Sequence, residues 1–476
     1  MFLCIDCGLT NGKLLLFEAD GRLIAKKVFA TPLQACRVDT NALNENLCRA
    51  IAAILSETDS AAEKISCISV SGHGNGLYAL DEDGALPFGF SSMLTQQAEH
   101  LPAQEQLFPI VLQSRWPGQP LCILAWLKQT DPSLYHRIRS VLFCKDLLRY
   151  FMTGSVCTEP TDASAAGLLN AQTGQYDRTL LQLYDLDDAW AKLPPLRASA
   201  EPAGYVSEAF SRRTGLPAGI PVLGGLFDVN SCMLGAGVVD ASCFSMTAGT
   251  WGINAIPSAV PVRSKAITQC CRFYGDVPYV CIDSAPTSCA NLEWFARQIL
   301  RTDQFGKLSE VVQQTPVDET LLYLPYLYAP MDLPQIRGGF LGVQPQHTRA
   351  DLTRAVFEGI VFEHRRRMEK LQSAGLDADR IVLSGGAANS AVFAQLFADV
   401  CGKTVLIPSQ PEAGAMGGVI LCQMAAGAYT SITSAADALV SYHQPFLPIP
   451  QSAYERKYQR FCSALQNLAY CGKESF

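Results

Sequence analysis

Three short apolar runs open the chain, over residues 2–5, 13–17 and 23–29, separated by polar turns at 7–11 and 19–21. Runs this short, broken by Asp, Asn and Gly, predict an antiparallel β meander. Leu43, Leu47, Ile51, Ile54 and Leu55 then recur at spacings of three and four, which predicts an amphipathic helix with Thr40 and Asn41 at its cap. A buried strand over 65–71 runs into Gly72-His73-Gly74-Asn75-Gly76. The opening order is β-β-β-α-β, with polar or Gly-rich turns at the strand ends.

The middle of the chain reads as helical over 121–128, 134–138 and 147–151. Pro194-Pro195 and Pro202 mark loops, 221–225 a strand, and 227–237 the start of a helix or turn. From 242 the opening order returns. Strands over 242–246 and 251–256 flank Ala248-Gly249-Thr250, and more follow over 269–274 and 279–282. Helical patterns over 292–300 and 352–371 precede a strand at 381–383, a helix at 392–400, a strand at 405–407 and a helix at 417–425. Two α/β halves with one order imply an internal duplication, cut near residue 240 into 1–240 and 241–476. No linker-like segment separates the halves, so they are expected to pack closely.

Composition narrows the function classes. The 476 residues are 49% hydrophobic and 17% charged, which predicts an ordered chain with a large core. The net charge of −7 disfavours nucleic acid or an anionic membrane as partner. No apolar run reaches the ~20 residues of a membrane span. The first residues, MFLCIDCGLT, lack the basic segment of a signal peptide, so a cytoplasmic protein is expected. The eighteen cysteines then read as small buried hydrophobes. Cys4 and Cys7 form a C-x-x-C with no second pair at zinc-site spacing, and read as a buried strand and the turn after it.

Several turns carry candidate chemistry. In Asp6-Cys7-Gly8-Leu9-Thr10-Asn11-Gly12-Lys13, a carboxylate ends a strand where it could hold Mg²⁺, and Thr10, Asn11 and Lys13 add donors for phosphate. The spacing is not that of a Walker A loop: Gly8 and Gly12 stand one residue too close, and Leu14 occupies the metal-ligating Ser/Thr position. Gly72–Gly76 does not complete a dinucleotide fingerprint, which disfavours a nicotinamide oxidoreductase. Asp228, just past a strand in Gly224-Gly225-Leu226-Phe227-Asp228, could cap a helix or take a proton in a cleft. Thr247-Ala248-Gly249-Thr250-Trp251 is a second hydroxyl-and-Gly turn, and Gly385-Gly386-Ala387-Ala388-Asn389 offers close backbone approach to an adenosine. Taken together on duplicated halves, these turns fit a nucleotide cleft between two actin-like ATPase (ribonuclease H-like) α/β domains.

At this level the chain resembles the FGGY family of carbohydrate kinases over nearly its whole length. Residues 6–13 resemble the family's first phosphate motif, with Leu9 in place of its first hydroxyl. Residues 225–237 (GLFDVNSCMLGAG) resemble the segment that carries the catalytic Asp, here Asp228, and 246–252 the second phosphate motif. Residues 348–362 (TRADLTRAVFEGIVF) resemble the C-terminal signature helix, 384–395 the adenosine motif, and 412–418 the start of the connecting helix. The strings GLFDV and WPGQPLCILAWLKQ are most similar to bacterial L-xylulose kinases. The resemblance implies transfer of phosphate from MgATP to a primary hydroxyl of a pentulose, with Asp228 as base and sugar ligand and Asp6 as the Mg²⁺ ligand. It implies Thr10, Asn11, Lys13 and Thr250 at the phosphates, Gly386, Ala387 and Asn389 at the adenosine, and His73, Asn75 and Trp116 at the sugar. Departures fall on the sugar side. Met93 stands where the family carries an Asp, His73 and Asn75 stand at its Gln and His positions, and Ile123 replaces its usual Lys. Ribulose, erythritol and glycerol therefore stay open as acceptors, as do a nucleotide-binding module without kinase activity and a homodimer.

Overall fold

In the computed structural model, which describes residues 1–58, 61–94, 96, 101–328, 332–410 and 412–471, two mixed sheets repeat one strand order. The first strand, Phe2–Cys7, pairs antiparallel with Asn11–Phe17, which pairs with Leu23–Ala30. On its other side it pairs parallel with Cys67–Gly72, and the sheet continues through Pro221–Leu223 to Pro202–Tyr205. The second sheet has the same plan. Its Cys243–Ala248 pairs antiparallel with Gly252–Ser258 and parallel with Arg380–Ser384, which is followed by Thr404–Leu406. Tyr279–Ala285 and Gln269–Arg272 complete the antiparallel side.

Alternation along the strands sorts the core into layers. Leu3, Ile5 and Cys7 face one apolar cluster with the helix Thr40–Glu57, whereas Phe2 and Cys4 face another. Cys4 and Cys7 thus point to opposite faces of the sheet and cannot share an ion. The second cluster lies between the two sheets and contains residues of both, such as Leu15 and Val382.

Two helices fill that middle layer, Asp228–Gly235 and Ala413–Ala425. Every residue from Gly414 to Gln423 is buried, as an all-round apolar helix between two sheets requires. Glycines set the approach: a Cβ on Gly235 would lie 1.9 Å from the Ala413 carbonyl, and one on Gly417 would lie 2.0 Å from that of Ser231. The late helix thereby packs on the strands Phe2–Cys7 and Cys67–Gly72 of the first half.

Three local expectations change. The first helix is capped by Asp39, whose carboxylate accepts from Ala42 N at 2.9 Å, not by Thr40 or Asn41. Pro202 starts an edge strand instead of a loop, a position where its missing N–H costs no ladder bond. The helix expected over 292–300 is α-helical only over Cys289–Trp294 and continues as a wider π turn over Phe295–Leu300.

Candidate active site

A cavity of about 350 Å³ opens between the halves at the ends of the central strands. His73, Asn75, Trp116 and Asp228 all line it from the first half, and Trp251 and Thr268 line it from the second. Asp228 is the first residue of its helix, and Phe227 is the cap. Among the described residues its Oδ1 accepts only from the adjacent Val229 N, at 2.7 Å, so the carboxylate is not consumed as a cap. Burial, and then the negative charge of Asp6, push its pKa up to about 7.

Asp6 sits at the end of the first strand, in register with Lys13 on one side and Ser71 on the other. Ser71 Oγ donates to its Oδ1 at 3.0 Å. Burial raises the Asp6 carboxyl above the ordinary range, and Ser71 and Lys13 offset this in part. The Asp6 and Asp228 carboxylates therefore repel each other, an arrangement that a divalent cation would relieve.

Four of the remaining expected residues gather on the second half. Thr250, Gly386, Ala387 and Asn389 line a cavity of about 740 Å³ whose apolar wall includes Phe357 stacked on Phe393, ring centroids 4.2 Å apart. Gly385 adopts φ +82°, and a Cβ there would meet the Ala248 carbonyl at 2.8 Å. The turn after Arg380–Ser384 thus abuts the turn after Cys243–Ala248, and Thr247 and Ser384 hydroxyls pair at 2.9 Å. Lys13 lines an adjoining cavity of about 730 Å³ with Gly386 and Asn389. Thr10 and Asn11 lie exposed on the hairpin between the first two strands.

Comparison with known proteins bears on the family and the fold. Residues 1–235 match the model of the FGGY family of carbohydrate kinases, N-terminal domain, and residues 245–426 match the C-terminal domain. The chain is 31% identical to the L-xylulose/3-keto-L-gulonate kinase of Escherichia coli, over 97% of this chain and 95% of that one. It is 30% identical to the probable L-xylulose kinase of Haemophilus influenzae, over 98% and 99%. The chain belongs to the FGGY family of carbohydrate kinases. The crystal structure of xylulose kinase from Rhodospirillum rubrum superposes with a TM-score of 0.88 at 21% identity, covering 99% of each chain. As an FGGY kinase the chain is an ATP-dependent sugar phosphotransferase with a small-molecule acceptor. No helix among the described residues is long and apolar enough to cross a membrane.

Other features of this FGGY kinase escaped the sequence reading. Leu9, Gln113, Gln119, Trp251 and Ser284 also line the first cavity. Trp251 adjoins the second hydroxyl turn and could have been proposed from that place alone. The two glutamines have no local signal; they meet through Gln119 Nε2 donating to Gln113 Oε1 at 3.1 Å. Lys13 donates to Glu412 Oε2 at 2.9 Å, and Lys26 pairs with the same carboxylate. Behind Asp228 lies a fully buried ionic cluster. Lys145 donates to Asp146 at 2.7 Å and stands 3.4 Å from Asp162 and 3.6 Å from Glu159. Arg149 donates to the Gly224 carbonyl at 2.7 Å. Thr161 Oγ1 donates to Glu159 at 2.7 Å and accepts from Phe227 N at 3.0 Å. The cluster grips both ends of the segment that presents Asp228.

Proposed function

We propose that this FGGY kinase transfers the γ-phosphoryl group of ATP to a primary hydroxyl of a pentulose, L-xylulose or D-xylulose. The acceptor occupies the cavity beside Asp228, with His73, Asn75 and Trp116 around it. Asp228 takes the hydroxyl proton as the new O–P bond forms and the bond from the γ-phosphorus to the bridging oxygen breaks. ADP leaves, and the proton passes from Asp228 to solvent. Phosphoryl transfer has a loose transition state, so positioning and charge neutralisation supply most of the rate.

The donor lies along the second half. Gly386, Ala387 and Asn389 flank the adenosine, while Thr250, Thr10 and Asn11 donate to phosphate oxygens. Lys13 joins them on leaving Glu412. Asp6 would hold Mg²⁺ directly or through water; the ion supplies charge neutralisation at the phosphates. The sugar-binding and nucleotide-binding halves meet near residue 240.

The observation that carries this reading is Asp228. It is a carboxylate with no side-chain partner among the described residues, held near neutrality in its pKa on the wall of a cleft shared by both halves. A coupled ADP-release assay over L-xylulose, D-xylulose, ribulose, erythritol and glycerol tests it. Stimulation by a xylulose well above the other acceptors is expected. Turnover indifferent to every sugar and polyol would defeat it.

A further inference from the structure

Among the described residues, the wall of the acceptor cavity carries no positively charged side chain. Among its described lining residues there is no Lys or Arg, and the one full charge available is that of Asp228. Among those described residues His73 is the sole basic side chain. It is 4% exposed, its Nε2 pairs with the Tyr78 hydroxyl at 2.9 Å, and burial drives its pKa down to about 4, so the ring is neutral. Cations near the wall are engaged elsewhere. Arg115 stands between the lining residues Ser114 and Trp116, yet its Nη1 reaches the Pro102 carbonyl at 3.1 Å. Lys145 is held by Asp146, and Arg272 donates to the Gln172 carbonyl at 3.1 Å. Arg367, behind Ser284, is bound to Asp283 at 3.0 Å and Glu363 at 2.8 Å.

The polar atoms that remain on the wall belong to amides and hydroxyls. Asn75 Oδ1 is buried with no partner among the described residues, and His73 Nδ1 is likewise unpaired. A sugar hydroxyl can donate to an acceptor such as Asn75 Oδ1, and a ketone oxygen can accept from an amide N–H or a hydroxyl. A carboxylate is best met by a cation, and the described lining residues include no Lys or Arg.

We infer that this cavity takes an uncharged keto-sugar and turns away a sugar acid of the same backbone. The inference rests on the kinase reading above and narrows its acceptor class. A carboxylate entering the cavity would leave water without a compensating partner. It would also enter the field of Asp228. At ~6 Å and an effective dielectric of ~20, repulsion between two carboxylates amounts to roughly a hundredfold in affinity.

The test compares L-xylulose with 3-keto-L-gulonate on the intact enzyme, by coupled turnover with ATP and by calorimetric binding without it. The neutral compound is expected to exceed the acid by about 100-fold in kcat/KM and to bind measurably where the acid does not. Met93→Lys places an ammonium on the same wall and is expected to narrow the kcat/KM gap at least about tenfold. Equal kcat/KM or equal affinity for the two compounds in the wild type overturns the inference, and a gap unchanged in a folded Met93→Lys counts against it. Turnover of neither compound, and none of D-xylulose either, defeats the xylulose-kinase reading instead, while the binding measurement still ranks neutral against acid.

Discussion

Trp116 and Trp251 meet edge to face across the cleft, with ring centroids 6.4 Å apart and planes at 83°. One ring belongs to the half that carries Asp228. The other follows directly on the Gly249-Thr250 turn, which lines the second-half cavity. Trp116 is fixed in turn by its indole N–H, which donates to the Ser92 carbonyl at 3.1 Å. The pair therefore joins the acceptor wall to the phosphate turn. Trp116→Ala is expected to raise the sugar KM by about tenfold, the scale of losing one aromatic pair. It should also lower the ratio of sugar-stimulated to basal ATP hydrolysis, because closure over the sugar no longer draws the two turns together. Trp116→Phe should retain most of both, as read by steady-state kinetics and an ATPase assay.

The pKa of Asp228 sets a pH profile. A base must be unprotonated to receive the hydroxyl proton, so kcat/KM should fall about tenfold per unit as pH drops below about 7. Stability moves the other way. The folded-state pKa of about 7 stands above the ordinary 3.8, so the carboxyl favours the folded state below 3.8. That favour is lost as pH rises through about 7, where the cleft must hold the bare charge. Asp228→Asn should therefore melt about 2–4 °C higher than wild type at pH 8 for each ~1 kcal/mol relieved, with a smaller difference near pH 5 that vanishes only below 3.8. Paired thermal melts at the two pH values check the sign.

Thr161 links the buried ionic cluster to the catalytic segment, accepting from Phe227 N one residue before Asp228. Thr161→Val keeps the shape and removes both bonds, leaving the Glu159 carboxylate and the Phe227 N–H short of a partner. We expect kcat to fall at least about tenfold, the factor that ~1.4 kcal/mol represents, while the ATP KM stays near wild type. Thr161→Ser preserves the hydroxyl and should restore kcat. A change confined to melting temperature would assign the residue to stability alone.

Much of this could be read from strand ends. Asp6, Asp228, Thr250 and Gly386 each lie at or just past a short apolar run; Asp6 lies at the end of its strand, and the other three line cavities. The duplicated order was legible because both halves repeat the same periodicity. What the pattern could not carry were contacts between distant positions. The Lys13–Glu412 pair spans 399 residues. Lys145, Asp146 and Arg149 lie on a helix whose charges suggest a solvated face, yet all three are fully buried and neutralised by one another and by Glu159 and Asp162. The packing of Ala413–Ala425 on the first sheet follows from its all-round apolar surface, which a single-strand reading does not orient.

Gly414 leaves the space that Asp6 occupies. A Cβ there would lie 2.6 Å from Asp6 Oδ2, and Ser71 and the strand register leave that carboxylate little room to retreat. Gly414→Ala should displace the Asp6 carboxylate and lower kcat by about tenfold or more, with a raised Mg²⁺ requirement, since misplacing a charge-organising group by even ~1 Å can cost about 100-fold. Titrating activity against Mg²⁺ separates this from simple destabilisation, which would leave the Mg²⁺ dependence of the folded fraction unchanged.

The measurement that bears most directly on the account is the turnover of Asp228→Asn with saturating ATP and xylulose, made alongside its ATP affinity and its melt. The proposed proton transfer predicts a folded variant that binds ATP within about twofold of wild type and has lost at least ~100-fold in kcat. A folded, ATP-binding Asp228→Asn with near-normal turnover would contradict it.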